Sequence, residues 1–245
     1  MSTDHHSEDM FSRTALLIGS EGVAQLAASS VLVVGLGGVG SACAEALARA
    51  GVGALTLVDG DVVTESNLNR QIVAVRPALG KHKAEAMAER VAAINPGCRV
   101  TSVVEFISAG NIPRMLESKP DYVADAIDSV PAKLDLIEAC LGSRIRIVSS
   151  MGAGNKLDPT RFRVSDISKT HTCPMARAVR LGLRERGIDR GLTVVFSDEP
   201  PRSQKSRVPG SISFVPPAAG LAMAGVIVRD LALLGRSEAS SLRKE

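Results

Sequence analysis

The sequence predicts an α/β protein: a doubly wound, Rossmann-like, mostly parallel sheet extended by antiparallel strands in the C-terminal third. Three observations carry this. Short apolar runs alternate with Ala- and Leu-rich helical stretches between Val31 and Ser149, the pattern of strands joined by helical crossovers. A glycine-rich turn stands between the first such run and the helix that follows it. Twenty-two glycines with abundant Ala and Val favour tight winding, and five Phe, one Tyr and no Trp leave too few rings for a platform that stacks single-stranded nucleic acid.

The elements follow in order. Residues 1–10 carry Asp4, Glu8 and Asp9 and no apolar run, so they read as a disordered tail without a secretory leader; His5 and His6 within it are weak metal candidates. Helices over Ser12–Ile18 and Gly22–Ala28 precede a buried strand at Val31–Val34. The helix Val39–Ala50 is closed by Gly51, and the strand Ala54–Val58 ends at Asp59. A helix over Lys81–Ile94 leads to a strand at Arg99–Glu105. Strands at Tyr122–Ala126 and Ile145–Ser149 flank a helix at Ala132–Leu141. Beyond them, Phe162–Val164, Leu192–Phe196 and Ser211–Phe214 read as strands without regular helical crossovers, hence as antiparallel additions. The uncharged stretch Val208–Val228 has the length of a membrane span, about 20 residues. Pro209, Pro216 and Pro217 interrupt it, and the helix left over Pro217–Val228 is too short to cross. It reads as a core or interface helix, with no membrane involved.

Four cysteines (Cys43, Cys98, Cys140, Cys173) occur without any C-x-x-C pair, which argues against a disulfide framework and a Cys-ligated zinc. A reducing, cytoplasmic location is the expectation. Cys173, before Pro174 at the start of a helix, is the one cysteine worth testing as reactive. The net charge of +3 conceals an asymmetry: Lys156–Arg207 holds 12 Lys/Arg against 6 Asp/Glu, and the remainder 17 against 20. One basic face suited to a polyanion is expected.

The chemistry is concentrated in the first half. Gly35-Leu36-Gly37-Gly38-Val39-Gly40 has the G-x-G-x-x-G spacing between a strand and a helix. The first glycine permits the turn, the second lets phosphates approach the backbone, and the third packs helix on strand. Asp59, 24 residues after Gly35, ends the second strand where a carboxylate can accept ribose hydroxyls. The turn alone does not separate a dinucleotide from ATP. The following segment does: Asp59-Gly60-Asp61, then Ser66-Asn67-Leu68-Asn69-Arg70-Gln71, then Lys83. An Arg and a Lys at the phosphate end suit ATP, where charge builds as pyrophosphate leaves. Asp128, after a further strand at the same sheet edge, could hold Mg²⁺ between phosphates.

These motifs resemble the ATP-binding signature of the ubiquitin-activating-enzyme-like superfamily, over about Phe11 to Leu234. The resemblance implies a single ATP-binding domain over 11–245, with a nucleotide-binding half at 11–150 and a substrate-facing, dimer-supporting half at 151–245. It implies that Gly35, Gly37, Gly38 and Gly40 form the phosphate turn and that Asp59 holds the ribose. Asp61, Ser66, Asn67, Asn69 and Ser129 belong with Arg70 and Lys83 around ATP, and Asp128 holds Mg²⁺ for attack at the α-phosphate. Arg13 resembles an arginine that reaches into the partner's site, which implies a homodimer. Gly152–Thr160, Asp166–Thr170 and Gly210–Pro216 resemble the tRNA threonylcarbamoyladenosine dehydratase branch. Cys173 departs from it, since an acidic residue is expected there. The implied activity is an ATP-dependent cyclisation of the modified adenosine next to the anticodon of tRNA, through an acyl-adenylate. The nucleophile belongs to the substrate, so no catalytic cysteine is required.

With tRNA as partner, the stripe Arg177, Arg180, Arg184 at i, i+3, i+7 becomes the expected docking face, supported by Lys169, Arg202, Lys205 and Arg207. His82 and His171 read as surface residues rather than proton acceptors. The nearest rival is an adenylyltransferase for the C-terminus of a sulfur-carrier protein, whose members usually carry two C-x-x-C pairs. An NAD-dependent oxidoreductase rests only on the glycine turn and Asp59. A non-enzymatic tRNA-binding protein is disfavoured by Arg70, Lys83 and Asp128. Docking of a sulfur-transfer partner stays open.

Overall fold

The computed structural model describes residues 9–202 and 208–233. Its first three strands are β1 (Ser30–Val34), β2 (Ala54–Val58) and β3 (Arg99–Val103). They are followed by β4 (Tyr122–Asp125), β5 (Arg146–Ser150), β6 (Phe162–Asp166) and β7 (Thr193–Ser197). They form one seven-stranded sheet in the order β3-β2-β1-β4-β5-β7-β6. All neighbours are parallel except β6 and β7. The order reverses between β1 and β4, and such a switch point opens a crevice at the carboxyl ends of the strands.

One face of the sheet carries α1 (Ser12–Ala28), α2 (Gly40–Ala50), α3 (Lys83–Ile94) and α7 (Val215–Leu233); the other carries α4 (Ile112–Leu116), α5 (Val130–Gly142) and α6 (Pro174–Glu185). The near-continuous apolar strands are what a sheet covered on both faces requires: Val31 to Val34 in β1 and Val194 to Phe196 in β7 are buried. Helix α1 contains a break at Gly19 (φ 75°, ψ 164°), which separates the two expected helices.

Three expectations need correction. Ser211–Phe214 is not a strand; it is the lead-in to α7, with the Ser211 carbonyl taken by the Asn69 side chain. Strand β7 is parallel to β5 and only β6 is antiparallel, because α6 returns the chain in the direction of the main sheet. Helix α7 starts earlier and ends later than expected. Pro216 and Pro217 lie in its first turn, where a missing N–H costs nothing, and Asp230 is tied to the Tyr122 hydroxyl at 2.8 Å. Helix α4 was not expected. By length and composition α7 could cross a membrane, but it packs as a core helix against α1 and α2. Contact with α2 is close: a Cβ on Gly220 would lie 2.1 Å from the Val39 carbonyl oxygen.

Candidate active site

A cleft of about 630 Å³ opens at the carboxyl ends of β1, β2, β4 and β5, walled by both halves of the chain. Its floor is the glycine turn. Gly35 has φ 86°, and a Cβ there would meet the Ala126 carbonyl oxygen at 2.8 Å. A Cβ on Gly40 would sit 1.8 Å from the Gly35 carbonyl oxygen, so α2 starts directly on the turn. No acidic residue occupies the first turn of α2, and the dipole at its N-terminus favours an anion.

Asp59 braces this floor. It accepts the Leu36 N–H (2.6 Å) and the Asp61 N–H (2.8 Å). Lys83 is 6% exposed, and its ammonium pairs with Asp61 at 2.7 Å; Asp61 therefore holds a cation in the wall of the cleft. Arg70 donates to the Ser66 carbonyl (3.0 Å) and the Asn69 carboxamide oxygen (2.8 Å), which fixes the guanidinium at the rim. Buried Asn67 spends its carboxamide oxygen on the Thr64 N–H, leaving its NH₂ end for the cleft. Asp128 is exposed in the loop after β4 and lines the cleft.

The structure thus brings Gly35, Gly37, Gly38, Asp59, Asp61, Asn67, Arg70, Lys83 and Asp128 to one cleft. Gly40, Ser66, Asn69, Ser129 and Arg13 are not in its wall. Ser66 and Asn69 support Arg70 instead, Ser129 precedes α5, and Arg13 is exposed in the first turn of α1.

The basic stripe is not uniform. Arg177 is exposed, but Arg180 is half-buried and donates to the carbonyl and hydroxyl of Thr170, while Arg184 faces Asp189 at 3.4 Å. Arg161 and Arg163 both pair with Asp198, a single carboxylate that offsets part of their charge. Lys169 and Arg202 are exposed; Lys205 and Arg207 lie outside the described residues, as do His5 and His6. All four cysteines are buried and free, and burial pushes the thiols of Cys43 and Cys140 up to about 12. Cys173 lines the cleft. Among the described residues no cluster of His, Cys, Asp and Glu forms a ready-made metal cage.

Three functional groups escaped the sequence. Asp125, Lys133 and Ser149 form a wholly buried network behind the cleft: the Lys133 ammonium meets Asp125 at 2.8 Å and the Ser149 hydroxyl at 3.1 Å, and donates to the Ser150 carbonyl at 3.0 Å. Asp125 also receives the Ile127 N–H at 3.0 Å, which anchors the loop to Asp128. The only sequence signal was an acid at the end of an apolar run. Gln71 is buried in the wall with its carboxamide oxygen unpartnered, although it sits in the quoted motif. Lys156, 5% exposed, also lines the cleft.

A glycine floor at a helix N-terminus, with an ordered Arg and Lys at a switch-point cleft, defines a nucleotide-binding α/β protein built to handle phosphate charge. The chain belongs to the ThiF family, which it matches over residues 11–242. It is 45% identical to the tRNA threonylcarbamoyladenosine dehydratase of Bacillus subtilis (strain 168) over 238 residues, covering 90% of this chain and 94% of the relative. Its identity to the enzyme of that name from Escherichia coli (strain K12) is 44% over 196 residues, covering 77% and 73%. The structure of that E. coli dehydratase, TcdA, in complex with ATP superposes with a TM-score of 0.87 at 38% identity, covering 96% of each chain.

Proposed function

We propose that the chain catalyses the ATP-dependent dehydration of N6-threonylcarbamoyladenosine next to the anticodon of tRNA. The observation that carries this is the single cleft. Its nucleotide half runs directly into Gly152–Lys156 and into Gly210 and Ser211, from two of the stretches that resemble the dehydratase branch, so ATP and a tRNA nucleoside can meet in one cavity. A threonine carboxylate oxygen attacks the α-phosphorus of ATP, and the bond to the β-phosphate breaks with release of pyrophosphate. The ureido group of the same nucleoside then closes on the activated carbonyl carbon, with loss of a proton, and AMP departs. Water is lost overall. The chain supplies position and charge: the α2 N-terminus and glycine turn seat phosphate, Asp59 receives the ribose, and Arg70 and Lys83 stabilise charge growing on the leaving group.

Mg²⁺ fits this site at Asp128. The other cleft carboxylates are engaged: Asp59 by backbone N–H groups, Asp61 by Lys83, and Glu105 by Arg114 and Asn111. Asp128 has no such partner among the described residues, and Mg²⁺ commonly takes one or two carboxylates with substrate phosphates and water. When bound it neutralises phosphate charge. The decisive experiment is mass spectrometry of tRNA nucleosides after incubation with protein, ATP and Mg²⁺. Loss of one water from the threonylcarbamoyl adenosine is expected; pyrophosphate exchange stimulated only by a sulfur-carrier protein would replace this reading with the adenylyltransferase one.

A homodimer and a cytoplasmic setting belong to the same proposal. Leu16 and Leu17 are 86% and 88% exposed on α1, three and four residues after Arg13 and so on its face. An apolar helix face beside an arginine suits a second copy. Mixing Arg13→Ala protein with Asp128→Asn protein, each inactive alone, is expected to restore activity through one intact site per mixed dimer. A mixture as inactive as its parents, with subunit exchange demonstrated, removes the arginine from the partner's site.

For the tRNA face, Arg180 is excluded as a probe because it anchors Thr170. The double reversal Arg177→Glu and Arg184→Glu is expected to keep the fold and ATP affinity while weakening all tRNAs alike, since phosphate contacts carry no base information. Each lost contact lowers the log–log salt slope by about 0.7–0.9. An unchanged slope means that tRNA docks elsewhere.

A further inference from the structure

One wall of the cleft is formed by two segments that pair with each other. The Asn155 N–H donates to the Gly210 carbonyl at 2.8 Å, and the Gly210 N–H donates to the Asn155 carboxamide oxygen at 2.7 Å. Asn155 is left-handed (φ 59°), which turns the chain sharply before Lys156. The residues that follow the paired positions, Lys156 and Ser211, both line the cleft.

Neither polar group is fully used. Lys156 is buried, yet among the described residues its ammonium forms no ion pair; its partner is the neutral Glu199 carbonyl. The carboxylate of Glu199 is spent on the N–H groups of Leu157 and Asp158, and that of Asp198 on Arg161 and Arg163. Burial accordingly pulls the Lys156 ammonium below the usual lysine range, against the opposing influence of Cys173 and Glu199. The Ser211 hydroxyl is buried without a hydrogen-bond partner among the described residues. A buried cation without an ion-pair partner and a hydroxyl without a hydrogen-bond partner, as both are among the described residues, are costly unless a ligand completes them.

We infer that Lys156 and Ser211 seat the carboxylate of the threonylcarbamoyl group, in the same cleft that the phosphate-binding turn lines. This rests on the dehydratase reading. The chemistry requires such a seat, because an anionic carboxylate must approach an anionic phosphate, and a fixed cation offsets that repulsion and orients the oxygen. Lys156 is thus a specificity residue for the acid group, distinct from the ATP-binding set.

The test measures binding of two tRNAs, with a non-hydrolysable ATP analogue present. One carries threonylcarbamoyladenosine with its free carboxylate, the other the same nucleoside as the methyl ester. The unaltered protein is expected to prefer the acid. Lys156→Gln, which keeps a donor for the Glu199 carbonyl but no charge, should reduce that preference by roughly 10- to 100-fold with ATP affinity unchanged. Ser211→Ala deletes a hydroxyl that no group among the described residues uses, so the fold survives, and it should reduce the preference about 3- to 10-fold. If Lys156→Gln does not fold, Ser211→Ala decides. Discrimination retained in the folded variants overturns the seat. Failure of the unaltered protein to release water from the acid substrate overturns instead the dehydratase reading beneath it.

Discussion

Lys133→Met is expected to destabilise the protein by about 3–5 kcal/mol, the cost of leaving one member of a buried ion pair behind. Lys133 and Asp125 are both 0% exposed. The Met side chain fills the volume but leaves the Asp125 carboxylate with only the Ser149 hydroxyl and the Ile127 N–H, and it orphans the Ser150 carbonyl that the ammonium had satisfied. Against a total stability of about 5–15 kcal/mol, such a loss shifts the denaturant midpoint strongly. The double variant Asp125→Asn with Lys133→Met should recover much of it, because removing both charges avoids the buried, unpaired one, and Asn can still accept the Ile127 N–H. A single variant with the midpoint of the unaltered protein would show that the network is not paired as described. Since the same network carries the loop to Asp128 and the end of β5, partial unfolding should appear first as lost ATP binding.

Asp128→Asn is expected to leave ATP binding nearly intact and to lower adenylation by on the order of 10²–10³, the consequence of losing about 2.7–4 kcal/mol of transition-state stabilisation. Asp59 and its two backbone donors are untouched by the change, so the ribose end persists. Asp128 is exposed and unpartnered among the described residues, so the substitution orphans nothing and the fold should hold. Pyrophosphate release in a single turnover, with ATP affinity measured in parallel, separates the two effects. Normal turnover would falsify the assignment of Asp128 to the metal.

The alternation of apolar runs and helices located β1 to β5 to within two residues, since a parallel sheet covered on both faces needs short apolar strands joined by helices. Periodicity could not place the last third as well. The Ser211–Phe214 stretch alternates like a strand, but its Ser211 carbonyl is bonded to the Asn69 side chain and the stretch leads into α7. The stripe Arg177, Arg180, Arg184 is uniform by spacing, yet Arg180 belongs to Thr170 and Arg184 faces Asp189, partners that only folding supplies.

By itself the sequence located the glycine turn, the acid at the end of β2, and the Arg and Lys of the cleft wall, because each depends on a local conformation or a short fixed spacing. Asp59 follows directly from the strand that ends beside the turn, and Lys83 from the helix start that faces it. Only the tertiary structure decided which of these groups are free to meet a ligand. Asp61 is engaged with Lys83 and Asp128 is not; Asp125 and Lys133 are buried together although nothing in their spacing marks them as a pair. Among the described residues Lys156 has no ion-pair partner, because Glu199, 43 positions later in the chain, turns its carboxylate to the backbone and offers the ammonium only a carbonyl. Charge compensation in a low-dielectric interior is a property of three-dimensional neighbours, and a one-dimensional pattern does not contain it.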